Sequence, residues 1–276
     1  MKIIDMHIHS TYSDGELSVN ELLTRAKKIG VTDMAITDHD TIVNVKNYKE
    51  LASTYGIKIV SGIELNVDYP KMHILGYGIL KIDDLERQIH EMKKRNVLVC
   101  IETIELLKKL NIDISYEKVK ENMDDEEIIT KRDIVKYLVK YGYVATNREA
   151  YANLIGKGCK AYVPLEKLNY LAALRLIAKC GGISVLAHPI SIGRDVDFGK
   201  LIPEMKENGL VGIESNTARH NNEEKVYYGV IAKKFNLVET AGSDFHRDLD
   251  GIPIGISVRD DYLDKYYDLI AEAHKI

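Results

Sequence analysis

Ile3-Ile4-Asp5-Met6-His7-Ile8-His9 is a β-rich run carrying histidines near its carboxyl end. After it comes Val19-Asn20-Glu21-Leu22-Leu23-Thr24-Arg25-Ala26-Lys27-Lys28-Ile29, whose apolar residues recur at helical spacing. Asp33-Met34-Ala35-Ile36-Thr37 is then a second β-rich run. Strand, helix, strand in this order predicts two parallel strands joined by a right-handed crossover. Working outward, further strand-like runs lie at residues 58–64, 72–79, 182–187, 210–214 and 237–241, with amphipathic stretches at 168–179 and 223–235. About seven strands in this rhythm predict an α/β fold closed or nearly closed into a barrel, with an open doubly wound sheet as the structural alternative.

One interval breaks the rhythm. From residue 83 to residue 160 only helical patterns are visible, with Ile89, Met92, Leu98, Ile101, Ile104 and Leu107 in one stretch and Ile134, Leu138 and Tyr141 in another. The acidic segment 123–127 reads as a loop. The expectation is a barrel formed by residues 1–82 and 161–276, interrupted by a helical lid or substrate subdomain at 83–160.

Size and charge narrow the function. A chain of 276 residues buries a core without needing a disulfide or structural metal. The net charge of -4 lacks the basic footprint of a protein that grips long nucleic acid. An anionic substrate then needs local positive charge from metal ions or a few Lys and Arg side chains. Cys100, Cys159 and Cys180 have no CxxC spacing and argue for a reducing compartment. The start MKIIDMHIHS has no apolar signal core, and no run reaches the ~18 apolar residues of a membrane span. Cytoplasmic localisation without membrane attachment is the expectation.

The chemistry-bearing signal is positional. His7, His9, His39, His73, His188 and His246 all sit at or just beyond strand-like runs, several beside carboxylates. Ligand sites of parallel α/β folds lie at the carboxyl ends of strands, so these distant residues can converge. His7 and His9 are two apart, which places both imidazoles on one side of a strand. A lone strand-end histidine is usually just hydrogen bonded, HxH alone is a weak signal, and Asp14-Gly15 alone suggests an ordinary turn. Six imidazoles gathered without a cation would repel when protonated and leave polar atoms unsatisfied. Imidazole with carboxylate suits Zn, Mn or Fe, and Glu64 could bridge two ions.

These residues resemble the PHP (polymerase and histidinol phosphatase) domain family. The matching motifs are Asp5-Met6-His7-Ile8-His9 through Asp14-Gly15, Ile36-Thr37-Asp38-His39-Asp40-Thr41, Gly62-Ile63-Glu64, His73-Ile74-Leu75-Gly76-Tyr77, Ala187-His188-Pro189 and Gly242-Ser243-Asp244-Phe245-His246. The resemblance implies a distorted (β/α)7 barrel. It also implies two or three divalent ions held by His7, His9, Asp14, His39, Glu64, His73, His188, Asp244 and His246.

Residues 154–164, Leu-Ile-Gly-Lys-Gly-Cys-Lys-Ala-Tyr-Val-Pro, resemble the stand-alone subgroup that removes the 3'-phosphate of nucleoside 3',5'-bisphosphates or trims short RNA. Gly212-Ile213-Glu214, followed by His220-Asn221-Asn222-Glu223, fits the same subgroup. Lys131-Arg132-Asp133 departs from its Arg-Pro-His, replacing a bidentate fork by a point charge unless Arg132 takes over.

The expected activity is therefore phosphate monoester hydrolysis of a small nucleotide-like substrate by hydroxide generated on the metal ions. Water held by such ions has a pKa near ~7 instead of ~15.7. Arg219 and His220, with Lys131, Arg132 and Lys157 on the lid, are the candidate substrate-binding residues. No general acid is assigned, and His90 and His274, in helical patterns, receive no role. Exonuclease action on short RNA and histidinol-phosphate hydrolysis are alternatives within the same chemistry. A metal-dependent amidohydrolase and a non-catalytic metal-binding module are the readings from other classes.

Overall fold

A computed structural model of the chain describes residues 1–42, 50, 52–123 and 128–275. Of the loop expected at 123–127, all but Met123 lies outside the described residues. The chain divides into two compact units, Met1–Glu86 with Leu168–Ile276, and Arg87–Lys167.

The first unit is a nearly closed barrel. Its strands are β1 (Lys2–Ile8), β2 (Val31–Ile36), β3 (Lys58–Asn66), β4 (His73–Tyr77), β5 (Ile183–Leu186), β6 (Leu210–Thr217), β7 (Val238–Gly242) and β8 (Ile256–Val258), in the order β7-β6-β5-β4-β3-β2-β1-β8. Beyond this order, the ring closes between β1 and the end of β7. His9 N–H donates to Phe245 O at 3.0 Å, and Asp244 N–H donates to His7 O at 2.8 Å. β8 lies outside that ring, pairing antiparallel with β1 from Lys2 opposite Val258 to Ile4 opposite Ile256.

The uniform parallel pairing expected from the rhythm fails at one strand. β4 runs antiparallel to both β3 and β5. The physical reason is that only a short connection separates β3 from β4, with no crossover helix to return the chain. This reversal puts the start of β4, His73, at the same rim as the ends of its neighbours; His73 pairs with Asn66, the last residue of β3.

Helices pack outside the barrel: α1 (Val19–Ile29), and later α7 (Tyr170–Lys179), α8 (Phe198–Glu207), α9 (Asn222–Phe235) and α10 (Asp264–Ala273); α2 (Ile82–Arg95) begins in this unit and belongs to the second from Arg87 onward. α1 begins in a Ser18–Glu21 capping box, ends at Gly30 with φ 86°, and buries Leu22, Leu23 and Ala26. Inside the barrel, Ile4, Met6, Leu75, Tyr77, Val185 and Ala241 belong to one core, supported by Leu263 and Tyr266.

The second unit is helical: α3 (Val97–Lys108), α4 (Tyr116–Lys120), α5 (Lys131–Lys140) and α6 (Asn147–Ala150), the last running into a single wide turn, Tyr151–Ile155. The helical stretch expected to run from Ile89 through Leu107 breaks at Asn96 into α2 and α3. Cys100, Ile104 and Leu107 line one face of α3, and Ile134, Tyr137 and Leu138 line one face of α5; all six join the unit's own apolar core. All three cysteines are free thiols. Among the described residues, no helix is long and apolar enough to cross a membrane.

Candidate metal centre at the barrel rim

β1 delivers the first two ligands. His7 and His9 project to the same side, with their Nε2 atoms 3.3 Å apart. Glycine at two positions allows the surrounding chain to come this close. A Cβ on Gly242 would lie 2.3 Å from the His7 Cβ, and one on Gly15 would lie 2.3 Å from the His9 carbonyl oxygen. The Asp14-Gly15 pair is thus more than a turn, since it folds the loop back onto the strand and brings Asp14 to the rim.

Glu64, fully buried on β3, is the hub. Its Oε2 lies 3.3 Å from His7 Nε2, 3.2 Å from His9 Nε2 and 3.2 Å from His39 Nδ1. Its Oε1 lies 2.9 Å from His73 Nδ1 and 3.0 Å from His188 Nε2. Asp244 Oδ1 lies 3.4 Å from His7 Nε2, 3.2 Å from His9 Nε2 and 3.6 Å from His246 Nδ1. Asp14 reaches His9 at 3.6 Å, His246 at 3.5 Å and His39 at 3.9 Å. All nine residues singled out as ligands therefore meet at one rim. Asp244 and His188 adopt positive φ, 55° and 21°, a strained backbone of the kind that concentrates at functional sites.

Three overlapping sets bring their ligand atoms within 4.8 Å of one another: His9, Asp14, His39 and His246; His7, His9, Glu64 and Asp244; and His39, Glu64 and His73. Glu64 Oε2 and Asp244 Oδ1 are buried yet have no aligned hydrogen-bond donor, although imidazole nitrogens surround both. Oxygens and nitrogens that approach this closely without hydrogen-bond alignment are arranged as donors around a common centre. The site thus fits divalent cations on its own geometry and donor chemistry.

The electrostatics agree. Burial works against a charged His7, but the carboxylates of Glu214, Glu64 and Asp244 outweigh it and hold its pKa well above the usual value. His9, similarly buried, is held up at about 10 by Asp244 and Glu64. His39 moves the other way, pushed down to about 3 chiefly by burial. Burial alone would raise Glu64 and Asp244, yet the surrounding imidazoles keep both well below the ordinary carboxylate range. Protons on some imidazoles thus balance the carboxylates where cations would otherwise do so.

The substrate-binding candidates fall in different settings. Arg219 reaches Asp244 through its Nε and its side chain remains 41% exposed. His220 is buried, stacks on Tyr228 at 4.7 Å and donates through Nδ1–H to Ser215 O, while its Nε2 has no partner. Lys131 is 7% exposed, and its ammonium donates to Val163 O within the helical unit. Arg132 is half-buried and Lys157 is exposed. Asp133, the last of the three residues that depart from the subgroup motif, accepts from Thr130 N–H at 2.8 Å and from Thr130 Oγ at 2.6 Å, capping α5.

Three buried carboxylates brace the site, and residue-type reading gave none of them a role. Asp5 accepts from Ser243 N–H at 2.9 Å, Ser243 Oγ at 2.7 Å and Gly255 N–H at 2.9 Å, holding the turn before Asp244. Burial pushes Asp5 up to about 6, partly offset by the Ser243 hydrogen bonds. Asp38 accepts from Ser10 N–H at 2.8 Å, Ser10 Oγ at 2.6 Å and Ser13 Oγ, holding the loop that carries Asp14. Glu214 contacts His7 and His188. The available signal was an acidic residue inside an otherwise apolar strand, as in Ile4-Asp5-Met6 and Gly212-Ile213-Glu214.

Comparison with known proteins points the same way. The PHP domain model matches residues 5–171, more than half of the chain. A 5'-3' exoribonuclease of Haemophilus influenzae is 31% identical, covering 92% of this chain and 93% of its own length. A phosphoribosyl 1,2-cyclic phosphate 1,2-diphosphodiesterase of Eggerthella lenta is 28% identical, over 91% and 97%. A 3',5'-nucleoside bisphosphate phosphatase of Chromobacterium violaceum is 27% identical, over 91% and 90%. A solved Chromobacterium violaceum structure, described as an amidohydrolase with bound sulfate and no metal, superposes with a TM-score of 0.80 at 25% identity, over 97% and 96%. With the motif order, the barrel and these matches in agreement, the chain belongs to the PHP domain family and is a metal-dependent phosphoesterase.

Proposed function

We propose that the chain hydrolyses a phosphate monoester of a small nucleotide, with a nucleoside 3',5'-bisphosphate as the favoured substrate. The observation that carries this reading is the convergence of nine imidazole and carboxylate side chains on one rim, with Glu64 Oε2 and Asp244 Oδ1 buried and without aligned donors. His7, His9, Asp14, His39, Glu64, His73, His188, Asp244 and His246 would hold two or three divalent ions, drawn from Zn, Mn and Fe. Such ions supply a nucleophilic hydroxide at neutral pH and neutralise charge on phosphoryl oxygens.

The chain's own residues do the rest. Glu64 reaches all three ligand groupings and keeps the imidazoles at fixed spacing. Arg219, anchored by Asp244 through one nitrogen, keeps its remaining donors for a phosphate oxygen. His220 offers the free Nε2 as a further contact. Arg132 and Lys157, both in the helical unit, are further proposed substrate-binding residues. Lys131 contributes less, because its ammonium is committed to Val163.

Exonuclease action on short RNA stays open on one observation, the likeness to the Haemophilus influenzae enzyme. It uses the same centre on a diester.

Release of phosphate from a nucleoside 3',5'-bisphosphate, histidinol phosphate and an aryl phosphate, and of mononucleotides from a dinucleotide and short RNA, each with Mn, Zn or Fe, tests the proposal. An aryl amide and an aryl ester serve as controls for the amidohydrolase reading. The expected result is fastest hydrolysis of the bisphosphate and no release of the aryl amine from the amide or of the phenol from the ester. Full activity in a chelated sample would sink the proposal.

A further inference from the structure

Glu214 sits on β6, is fully buried, and has no Lys or Arg within ion-pair distance among the described residues. A buried carboxylate in that position is costly unless its oxygens meet donors. Its oxygens meet two. His7 Nδ1 lies 3.1 Å from Oε1 and 3.2 Å from Oε2. The backbone N–H of His188 donates to Oε2 at 2.8 Å. One side chain thus holds a ligand from β1 and the backbone of a ligand that follows β5, at the residue where φ is 21°.

The geometry points to Glu214 as a positioning residue that decides which nitrogen His7 presents to a cation. An imidazole with Nδ1–H donated to a carboxylate keeps its lone pair on Nε2. Nε2 is the atom that faces Glu64, Asp244 and His9, at 3.3, 3.4 and 3.3 Å. The same carboxylate pins the strained backbone of His188, whose Nε2 faces the other oxygen of Glu64. Glu214 itself lies in none of the three ligand groupings, so it acts through His7 and His188. This inference rests on the metal-binding reading of the rim.

Zinc competition against a chromophoric chelator separates the two ideas. Wild type, Glu214→Gln and Glu214→Ala are compared, with thermal unfolding of the chelated proteins as a check on folding. Loss of an outer partner of this type lowers metal affinity about 10–100-fold, and Glu214→Ala is expected in that range. Glu214→Gln falls between it and wild type. Its amide oxygen accepts from His7 Nδ1–H, but its NH₂ then confronts the His188 N–H.

Nitrogen-15 spectra of the zinc-loaded proteins give the second readout. His7 should show a protonated, hydrogen-bonded Nδ1 in wild type, and that signal should shift or vanish in Glu214→Ala. Glu214→Gln keeps the test usable if Glu214→Ala does not fold. Affinities within about twofold of wild type in the folded variants, with the Nδ1 signal unmoved, overturn this inference alone. A wild-type protein that takes up no zinc overturns the metal reading and this inference together.

Discussion

The two ends of the barrel bury polar groups on opposite terms. Below the rim, several buried polar atoms have their own partners: Tyr77 Oη donates to Met6 O at 2.6 Å, and Tyr267 Oη donates to Asp33 at 2.5 Å, with Lys2 3.6 Å from the same carboxylate. Tyr266 Oη and Thr240 Oγ1, buried without a partner, are exceptions. At the rim, imidazoles and carboxylates crowd at 2.9–3.9 Å, and two buried oxygens lack an aligned donor. The floor satisfies hydrogen bonds and is closed; the rim concentrates lone pairs and is incomplete without cations. Polar burial therefore marks function in this molecule only where partners are shared rather than matched one to one.

That contrast breaks most easily at the rim. His9→Ala and Asp244→Ala should each lower phosphate release at least about 100-fold and reduce bound metal, leaving the far-ultraviolet circular dichroism of the barrel unchanged. Metal content by elemental analysis, together with phosphate assays, checks this. Wild-type activity in either variant would erase the distinction between the two ends.

The next effect is pH. His9 in the metal-free protein holds its proton up to about 10, against ~6.5 for an unfolded imidazole. Its contribution to stability is thus complete below ~6.5 and is lost as pH rises through about 10. A cation must displace that proton, so raising pH from 7 to 9 should tighten metal binding by up to about tenfold per unit for each proton released. The same change should lower the melting temperature of the chelated protein. Competition titrations and melting curves at three pH values measure both; binding that is flat with pH would show that His9 gives up no proton.

At the floor, Tyr77→Phe should cost about 1 kcal/mol of stability by removing the bond to Met6, with metal affinity untouched. Denaturant titration with a parallel zinc titration sharpens the comparison, because a loss of metal would mean the two ends are coupled. The smallest expected change lies in the helical unit. Asp133→Ala removes the cap on α5 and should cost about 0.5–1 kcal/mol, again without loss of bound metal. Calorimetry detects it.

Much of the site was legible along the chain. Six histidines stand at or near strand ends, and strand ends of an α/β barrel share a rim, so residue type and spacing pointed to a shared site; the full set of nine proposed ligands is what the resemblance to the PHP family implies. Periodicity also distinguished the barrel's strands from the all-helical insertion. The carboxylates Asp5, Asp38 and Glu214 were not legible in the same way. Their role depends on what faces them across 25 to 250 residues of chain, and an acidic residue in a strand looks the same whether it is a ligand, a brace or an exposed charge.

The order of residues along the chain dictated local matters: which segments coil or extend, which faces are apolar, and which side chains carry lone pairs. Those depend on backbone periodicity and on chemistry that neighbours in sequence already specify. The folded arrangement alone decided the reversal of β4 that lifts His73 to the rim, the two glycine contacts that let loops close on β1, and the commitment of Lys131 to Val163. Each of these depends on close packing between segments distant in sequence, where a displacement of an ångström changes which atoms meet.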